Sequence, residues 1–466
     1  MRYVSTRGQA APKRFVDLIA SGLASDGGLF VPDEWPVFTE AELGNLAGAS
    51  YAAVARAVFA KFNDGSLADT ILDQAINAVY APTGGPFRHQ AITPLSQLSS
   101  NLWLLELFHG PTFAFKDVAL QLLGKLLDLT LQQAGKDITI VGATSGDTGS
   151  AAIHAVKDCQ HVRIFMMHPD GKVSPIQRRQ MTTVIAPNVM NIAVDGSFDD
   201  CQRLVKDIWH DKRLNKLSLT AVNSINWVRI LAQVVYYVYA ALSLGAPAIP
   251  VAFSVPTGNF GNIYAAHVAR KIGVPIAGLV LATNHNDILT RLFQTGKMQK
   301  GVTTPSHSPS MDIQVASNFE RYLLELCGED AGDVAAKMAA FGSDGVYALS
   351  AAQHQKAQDD FAAFAIDDAT TLGMIKAVQQ QTGMTVDPHT AVGLAAAAQA
   401  RKTLSPDIPL ISLACAHPAK FGEAIKKATG SEPALPPMLA ALESKDEAAI
   451  PLANDADALI ATILAK

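Results

Sequence analysis

Cysteine is scarce in this chain. There are four, Cys159, Cys201, Cys327 and Cys415, all far apart and none in a CxxC pair. That spacing argues against a disulfide frame and a zinc site, so no metal is expected, and free thiols in a reducing compartment are. A cytoplasmic location is the expectation. Charge is also thin, at 17% of residues with a net of −5, which offers no general attraction to nucleic acid or to an anionic membrane. From Ile230 to Ala269 there is no Asp, Glu, Lys or Arg. Yet the longest mostly apolar part free of Gly and Pro, Ile230 to Leu244, falls short of the ~20 residues needed to cross a bilayer. Gly245, Pro247, Pro250 and Pro256 then break it, which reads as a buried helix followed by a buried strand. The opening run Met1–Gly8 lacks a signal-peptide apolar core.

Several motifs are missing too. No GxxxxGK[ST] and no GxGxxG occur, which leaves nucleoside triphosphates and dinucleotides unsupported. HExxH and GxSxG are absent, which removes the simplest zincin and α/β-hydrolase readings.

What is present is a chain of 466 residues, 49% of them hydrophobic, enough for about two or three domains around large cores. Residues 1–95 read as an N-terminal helical segment, with helical runs at Tyr51 to Phe62 and Leu67 to Tyr80 and a short strand at Leu29–Val31. Beyond it, short apolar strands alternate with helices: Leu102–Leu107, Asp137–Val141, Arg163–Met167, Pro250–Val255, Leu279–Thr283 and Leu410–Leu413. That alternation predicts an α/β fold of two open, mostly parallel sheets. The division expected is a small α/β domain over 96–235 and a large one over 236–466, with the small one open to being an insertion in the large. Ligands in such sheets sit beyond the strand C-termini.

Three stretches carry chemistry. Lys116 opens a predicted helix in the run His109–Asp117, and Leu120, Leu123 and Leu127 follow it at offsets of 4, 7 and 11. An ammonium on that apolar face, in the positive first turn of a helix, is driven toward the neutral amine that can form a Schiff base with an aldehyde. The alternative is that Lys116 lays its stem across the leucines and keeps its head in water. The second stretch is Gly142–Gly149 and the third Thr257–Asn262, each placing glycines and small polar residues where a strand hands over to a helix. Free N–H groups there make an anion site. Either loop alone is also readable as an ordinary well-capped turn. Asp147 is unusual for an anion site unless it is turned away or caps the helix. One lysine with two anion loops suits an aldehyde that bears a phosphate, and pyridoxal 5′-phosphate is such a molecule.

The residues also resemble a known family. The runs Tyr3–Gly8, Asp26–Pro32, His109–Asp117, Ala143–Gly149, Gly196–Gln202, Asn223–Trp227, Gly258–Asn262, Ser308–Asp312, Ser317–Arg321, Val386–Thr390 and Ala416–Phe421 together resemble threonine synthases. These belong to the longer, bacterial-and-fungal-like branch of the fold type II pyridoxal-phosphate enzymes, whose fold is tryptophan synthase β-like. The resemblance implies that Lys116 holds the cofactor as a Schiff base and then shuttles protons. It implies that Gly258, Asn259, Phe260, Gly261 and Asn262 cradle the cofactor phosphate. Ser145, Gly146, Asp147 and Thr148 would meet the substrate carboxylate or the cofactor's phenolic oxygen. Asn226 and Arg229, with Arg203 as a further candidate, would meet the substrate phosphate. Cys415 stands where the family commonly has a threonine facing the pyridine nitrogen. A thiol is a weak donor and acceptor, so Cys415 either faces a neutral pyridine or is a small packing residue. The implied reaction takes O-phospho-L-homoserine and water to L-threonine and phosphate, in threonine biosynthesis. A phospholyase giving 2-oxobutanoate, or a non-catalytic cofactor-binding homologue, would use the same residues. The expected partner is a small-molecule substrate, with neither nucleic acid nor membrane, in a monomer or a homodimer.

Overall fold

The computed structural model describes residues 1–466 apart from His210 and Val222. Two open sheets dominate it. The larger runs in the order Ala362–Ala365, Ile276–Thr283, Val251–Pro256, Leu410–Ala414, Leu102–Glu106, Leu95–Ser99. All its neighbours are parallel except the last pair. The smaller runs Ile450–Leu452, Val189–Val194, Val162–Pro169, Ile138–Ala143, Leu219–Thr220, parallel throughout. Val251–Pro256 and Leu410–Ala414 are buried at every position, as parallel strands covered on both faces are. That is why they read as continuous apolar runs and not as alternating ones.

The sheets do not follow the expected cuts at 95/96 and 235/236. Leu102–Glu106 lies beside Leu410–Ala414, Leu102 opposite Leu410, and so belongs to the larger sheet. Ile450–Leu452 and the helix Ala456–Leu464 instead join the smaller sheet, where Leu459, Ile460 and Ile463 share a core with Cys201, Leu204 and Ile208. Four strands of the smaller sheet are thus inserted between Leu102–Glu106 and Val251–Pro256 of the larger, and the fifth, Ile450–Leu452, follows the larger sheet's last strand. Parallel partners this distant along the chain leave no local pattern behind them, since each strand alone looks the same whichever sheet it enters.

The N-terminal segment braces the lysine helix. Its antiparallel ribbon pairs Tyr3–Ser5 with Phe30–Pro32, and its helices include Tyr51–Phe62 and Asp69–Tyr80. The Tyr80 hydroxyl donates to the Val118 carbonyl at 2.6 Å. Trp227 packs among Tyr3, Trp35 and Phe62 at the head of the buried helix Trp227–Ser243. Among the described residues no helix is long and apolar enough to cross a membrane.

The helix Lys116–Ala134 packs closely on the helix Asp147–Val156 through Gly124, where an added Cβ would lie 2.3 Å from the Ala155 carbonyl oxygen. A side chain there must push backbone against backbone. Gly124→Val is therefore expected to lower stability by about 1–3 kcal/mol, read as a lower urea midpoint by circular dichroism. An unchanged midpoint would mean that the helices do not meet at this glycine.

Candidate active site

A cavity of about 280 Å³ lies between the C-terminal ends of strands from both sheets. Four segments converge on it. Lys116 comes from the first turn of its helix, and Ser145, Asp147 and Thr148 from the turn after Ile138–Ala143. The turn Thr257–Asn262 follows Val251–Pro256, and Cys415 follows Leu410–Ala414. The lysine run is tied to this last strand end, since Phe115 N–H donates to the Cys415 carbonyl at 2.8 Å and Ala114 bridges Ala416. That backbone pairing fixes Lys116 and Cys415 in one wall.

The Lys116 side chain is 12% exposed, and its amine lies 3.6 Å from Asp147 Oδ2. Burial drives its pKa below the usual lysine value; Asp147 opposes this, while Lys420 and Arg229 reinforce it. The alternative of a head kept in water is set aside, because so little of the side chain meets solvent and the amine sits beside the buried Asp147. Asp117, next in the chain, turns away into the protein and accepts from the Thr112 N–H and hydroxyl, both at 2.8 Å. Burial pushes its carboxyl up to about 6.

Asp147 has a partner that the sequence reading missed. Lys420, with a fully buried side chain, donates to Asp147 Oδ1 at 2.7 Å and to the Thr112 carbonyl at 2.7 Å. Gln177 adds a bond to the same Oδ1 at 2.8 Å. Burial alone would raise the Asp147 carboxyl, but Lys420 and Lys116 outweigh it and hold it well below the usual carboxylate range. So Asp147 neither caps its helix nor repels an anion: its charge is taken up within the protein. The signal was Lys420 itself, since the run Ile408–Phe421 holds no other Asp, Glu, Lys or Arg, but nothing local names its partner. Gly146 (φ 149°) is packed so closely on Gln177 that a Cβ would come 2.6 Å from the latter's amide. Thr144 shapes the turn by accepting from Gly146 N–H at 3.0 Å and Gly149 N–H at 2.9 Å.

The second turn, Thr257–Asn262, opens a helix. Phe260 takes a left-handed conformation (φ 63°) and gives no side-chain cap to the helix Gly261–Lys271. At Gly258 a Cβ would lie 3.0 Å from the Ser310 carbonyl, so the chain passes close to the neighbouring loop. Asn262 accepts at Oδ1 from the Tyr236 hydroxyl and, at 2.7 Å, from that of Tyr237. Its Nδ2 is buried with no partner, and so is the Nε of Arg229. Arg229 is 4% exposed, and burial lowers it to about 10. Its bonded neighbour is the Asn223 carbonyl, which carries no charge. Arg229 and Asn262 line the one cavity, and a buried guanidinium and a buried amide leave donors unmet unless an acceptor joins them. These donors fit a phosphate-bearing cofactor and substrate.

Cys415 lines the cavity, and burial together with Asp387 pushes its thiol well up, so it stays protonated. Three expected residues are not brought in: Gly146, which packs on Gln177 and does not line the cavity, and Asn226 and Arg203. Asn226 caps the helix Trp227–Ser243 through Arg229 N–H at 3.2 Å and spends its amide on the carbonyls of Leu18, Ile19 and Ser21. It ties the N-terminal segment down in place of meeting a phosphate. Arg203 lies on the exposed side of its helix, bonded to Asp207 at 2.8 Å and Asn454 at 2.5 Å. The same helix sends Phe198 to the cavity instead. Asn223, Ser224, Ser310 and His389 also line it, and all four stood inside runs already noted for their resemblance.

Comparison with known proteins agrees with this chemistry. A family model described as pyridoxal-phosphate dependent enzyme matches residues 86–415. Others described as threonine synthase N terminus and threonine synthase, C-terminal match residues 2–80 and 390–463. A threonine synthase of Pseudomonas aeruginosa is 49% identical over 98% of this chain and 96% of its own length. The crystal structure of a pyridoxal-phosphate-bound threonine synthase from Brucella melitensis superposes with a TM-score of 0.96 at 45% identity, covering 99% of this chain and 98% of that one. The yeast threonine synthase structure gives a TM-score of 0.94 at 37% identity, over 100% and 98%.

Removing Lys420 strands a buried carboxylate. Lys420→Met is expected to cost about 3–5 kcal/mol, and the double variant with Asp147→Asn less than the sum of the two singles. Because the Asp147 carboxyl is depressed in the folded protein, its contribution is full above the unfolded value of about 4 and is lost as pH falls below it. Urea titrations should show the Lys420→Met deficit at pH 7 shrinking toward pH 3. Additive losses at pH 7 would refute the coupling.

Proposed function

The chain belongs to the threonine synthase family of pyridoxal-phosphate-dependent enzymes, whose members convert O-phospho-L-homoserine and water to L-threonine and phosphate, and we propose that Lys116 is the residue on which this chemistry turns here. One observation carries the assignment: a buried amine driven toward neutrality shares its cavity with Arg229 and Asn262, each of which holds a buried donor without a partner.

Pyridoxal phosphate, when bound, supplies a delocalised sink for the electron pair left at the substrate Cα. Lys116 holds it covalently, and the backbone N–H groups of Gly258, Asn259, Phe260, Gly261 and Asn262, at a helix N-terminus, hold its phosphate. The Asn262 amide adds a donor. Cys415 offers an uncharged thiol to the pyridine ring. Ser145 and Thr148, at the head of the helix Asp147–Val156, meet the substrate carboxylate with Gly146 supporting the turn.

The freed Lys116 amine takes the Cα proton and passes it to the departing phosphate, takes a Cβ proton and gives it to Cγ to complete the methyl group, and takes the proton of the water that adds at Cβ and gives it to Cα. Asp147 stabilises the ammonium that each transfer creates, while Lys420 and Gln177 keep that carboxylate in place. Arg229 meets the phosphate leaving from Cγ; its charge gains most as the leaving group gains its own. Asn226 acts at one remove, by setting the first turn of Arg229's helix. The cavity lies between two sheets, so their closure keeps bulk water from the reacting atoms.

Lys116→Ala should abolish both the visible absorbance of bound cofactor and phosphate release from O-phosphohomoserine. Retention of either would defeat the assignment. Product analysis should find threonine with the phosphate, and not 2-oxobutanoate with ammonia.

Arg229→Leu should lower kcat/KM about 10²–10³-fold while cofactor absorbance persists. Unchanged steady-state kinetics would remove Arg229 from the phosphate's path.

A further inference from the structure

Asp387 does not line the cavity, yet two segments of its wall hang from this one carboxylate. Its side chain is fully buried, and it caps the helix Pro388–Ala400. Oδ2 accepts from the His389 N–H at 3.0 Å and from its ring Nδ1 at 2.7 Å. Oδ1 accepts from the Thr390 N–H at 3.3 Å and from the Thr390 hydroxyl. Each of these side chains then reaches the wall. His389 Nε2 accepts from the Ser310 N–H at 3.2 Å, and Thr390 Oγ1 accepts from the Cys415 N–H at 3.1 Å.

The polarity of both links follows from the carboxylate. A neutral imidazole carries one ring proton, and an acceptor at Nδ1 leaves Nε2 bare. A hydroxyl likewise has one proton, and giving it to Asp387 leaves the oxygen's lone pairs for Cys415. Both wall segments present N–H groups, so both need an acceptor. Were Nε2 protonated, it would meet the Ser310 N–H donor to donor. Ser310 sits in the long loop between Gln299 and Phe319, which touches the cofactor turn at Gly258 and has only a short 3-10 turn, Pro309–Met311, of its own.

We propose that Asp387 is a positioning residue for the cofactor pocket: it fixes the proton on His389 Nδ1 and on the Thr390 hydroxyl, so that both act as acceptors and hold Ser310 and Cys415 in the wall. The consequence for cofactor binding rests on the function proposed above; the proton placement does not.

The test has two arms. Histidine ring 15N spectra of the full chain, with and without pyridoxal phosphate, report the tautomer, and His389→Gln assigns the signal. Wild type should show Nδ1 protonated and Nε2 bare in both states; a protonated Nε2 overturns the inference whatever Lys116 does. In the second arm, Asp387→Asn keeps the shape and one acceptor oxygen, which preserves the cap but cannot serve both links. Its dissociation constant for pyridoxal phosphate should rise about 10- to 100-fold, with a changed visible circular dichroism band for what binds. Unchanged affinity and an unchanged band overturn the inference. Thr390→Val and Thr390→Ser decide the same point if Asp387→Asn does not fold: the serine variant should bind cofactor as wild type does and the valine variant weakly. Equal affinities would again overturn it.

Discussion

Asp147 lies between two amines, 2.7 Å from Lys420 and 3.6 Å from Lys116, and much of the site follows from that arrangement. A buried carboxylate is costly unless it is paired and hydrogen-bonded. Lys420 and Gln177 meet that requirement on one oxygen and leave the other turned to Lys116. Lys116 therefore has a counter-charge available when it carries a proton, at a separation longer than a hydrogen bond. Lys420 in turn bonds the Thr112 carbonyl, so the electrostatic pair also anchors the run that delivers Lys116.

The pair spans the two sheets. Asp147 follows a strand of the smaller, and Lys420 follows a strand of the larger. The cavity sits where these strand ends meet, so the charge arrangement exists only when the sheets are docked. The anion side has a parallel logic. Arg229 is buried on a long apolar helix whose head is held by Asn226, and Asn226 is held by the carbonyls of Leu18, Ile19 and Ser21. The N-terminal segment thus contributes no side chain to the cavity lining, yet helps to aim one that does.

Much was legible from the chain alone. The strand–turn–helix grammar placed Lys116, the turn before Asp147 and the turn Thr257–Asn262 at strand C-termini, because local apolar periodicity and glycine placement act over a few residues. The helix Tyr51–Phe62 has the expected bounds. Asn226 and Arg203 were misread because both belong to runs shared with the family or lie just beside one, and membership of a run does not say which way a side chain points. On the helix Trp227–Ser243, Asn226 is the cap and Arg229 one turn further on enters the cavity. On the helix Phe198–Ile208, Phe198 faces the cavity and Arg203 faces solvent.

By itself, then, the sequence determined the α/β class, the pair of glycine-bearing strand-to-helix turns and the out-of-place lysine, since each depends on neighbours along the chain. The tertiary structure alone decided which sheet each strand joins, that Lys420 neutralises Asp147, and that Asp387 reaches both Ser310 and Cys415. Those outcomes depend on groups up to hundreds of residues apart being brought within about 3 Å, and no local pattern records a partner that arrives only when the sheets pack.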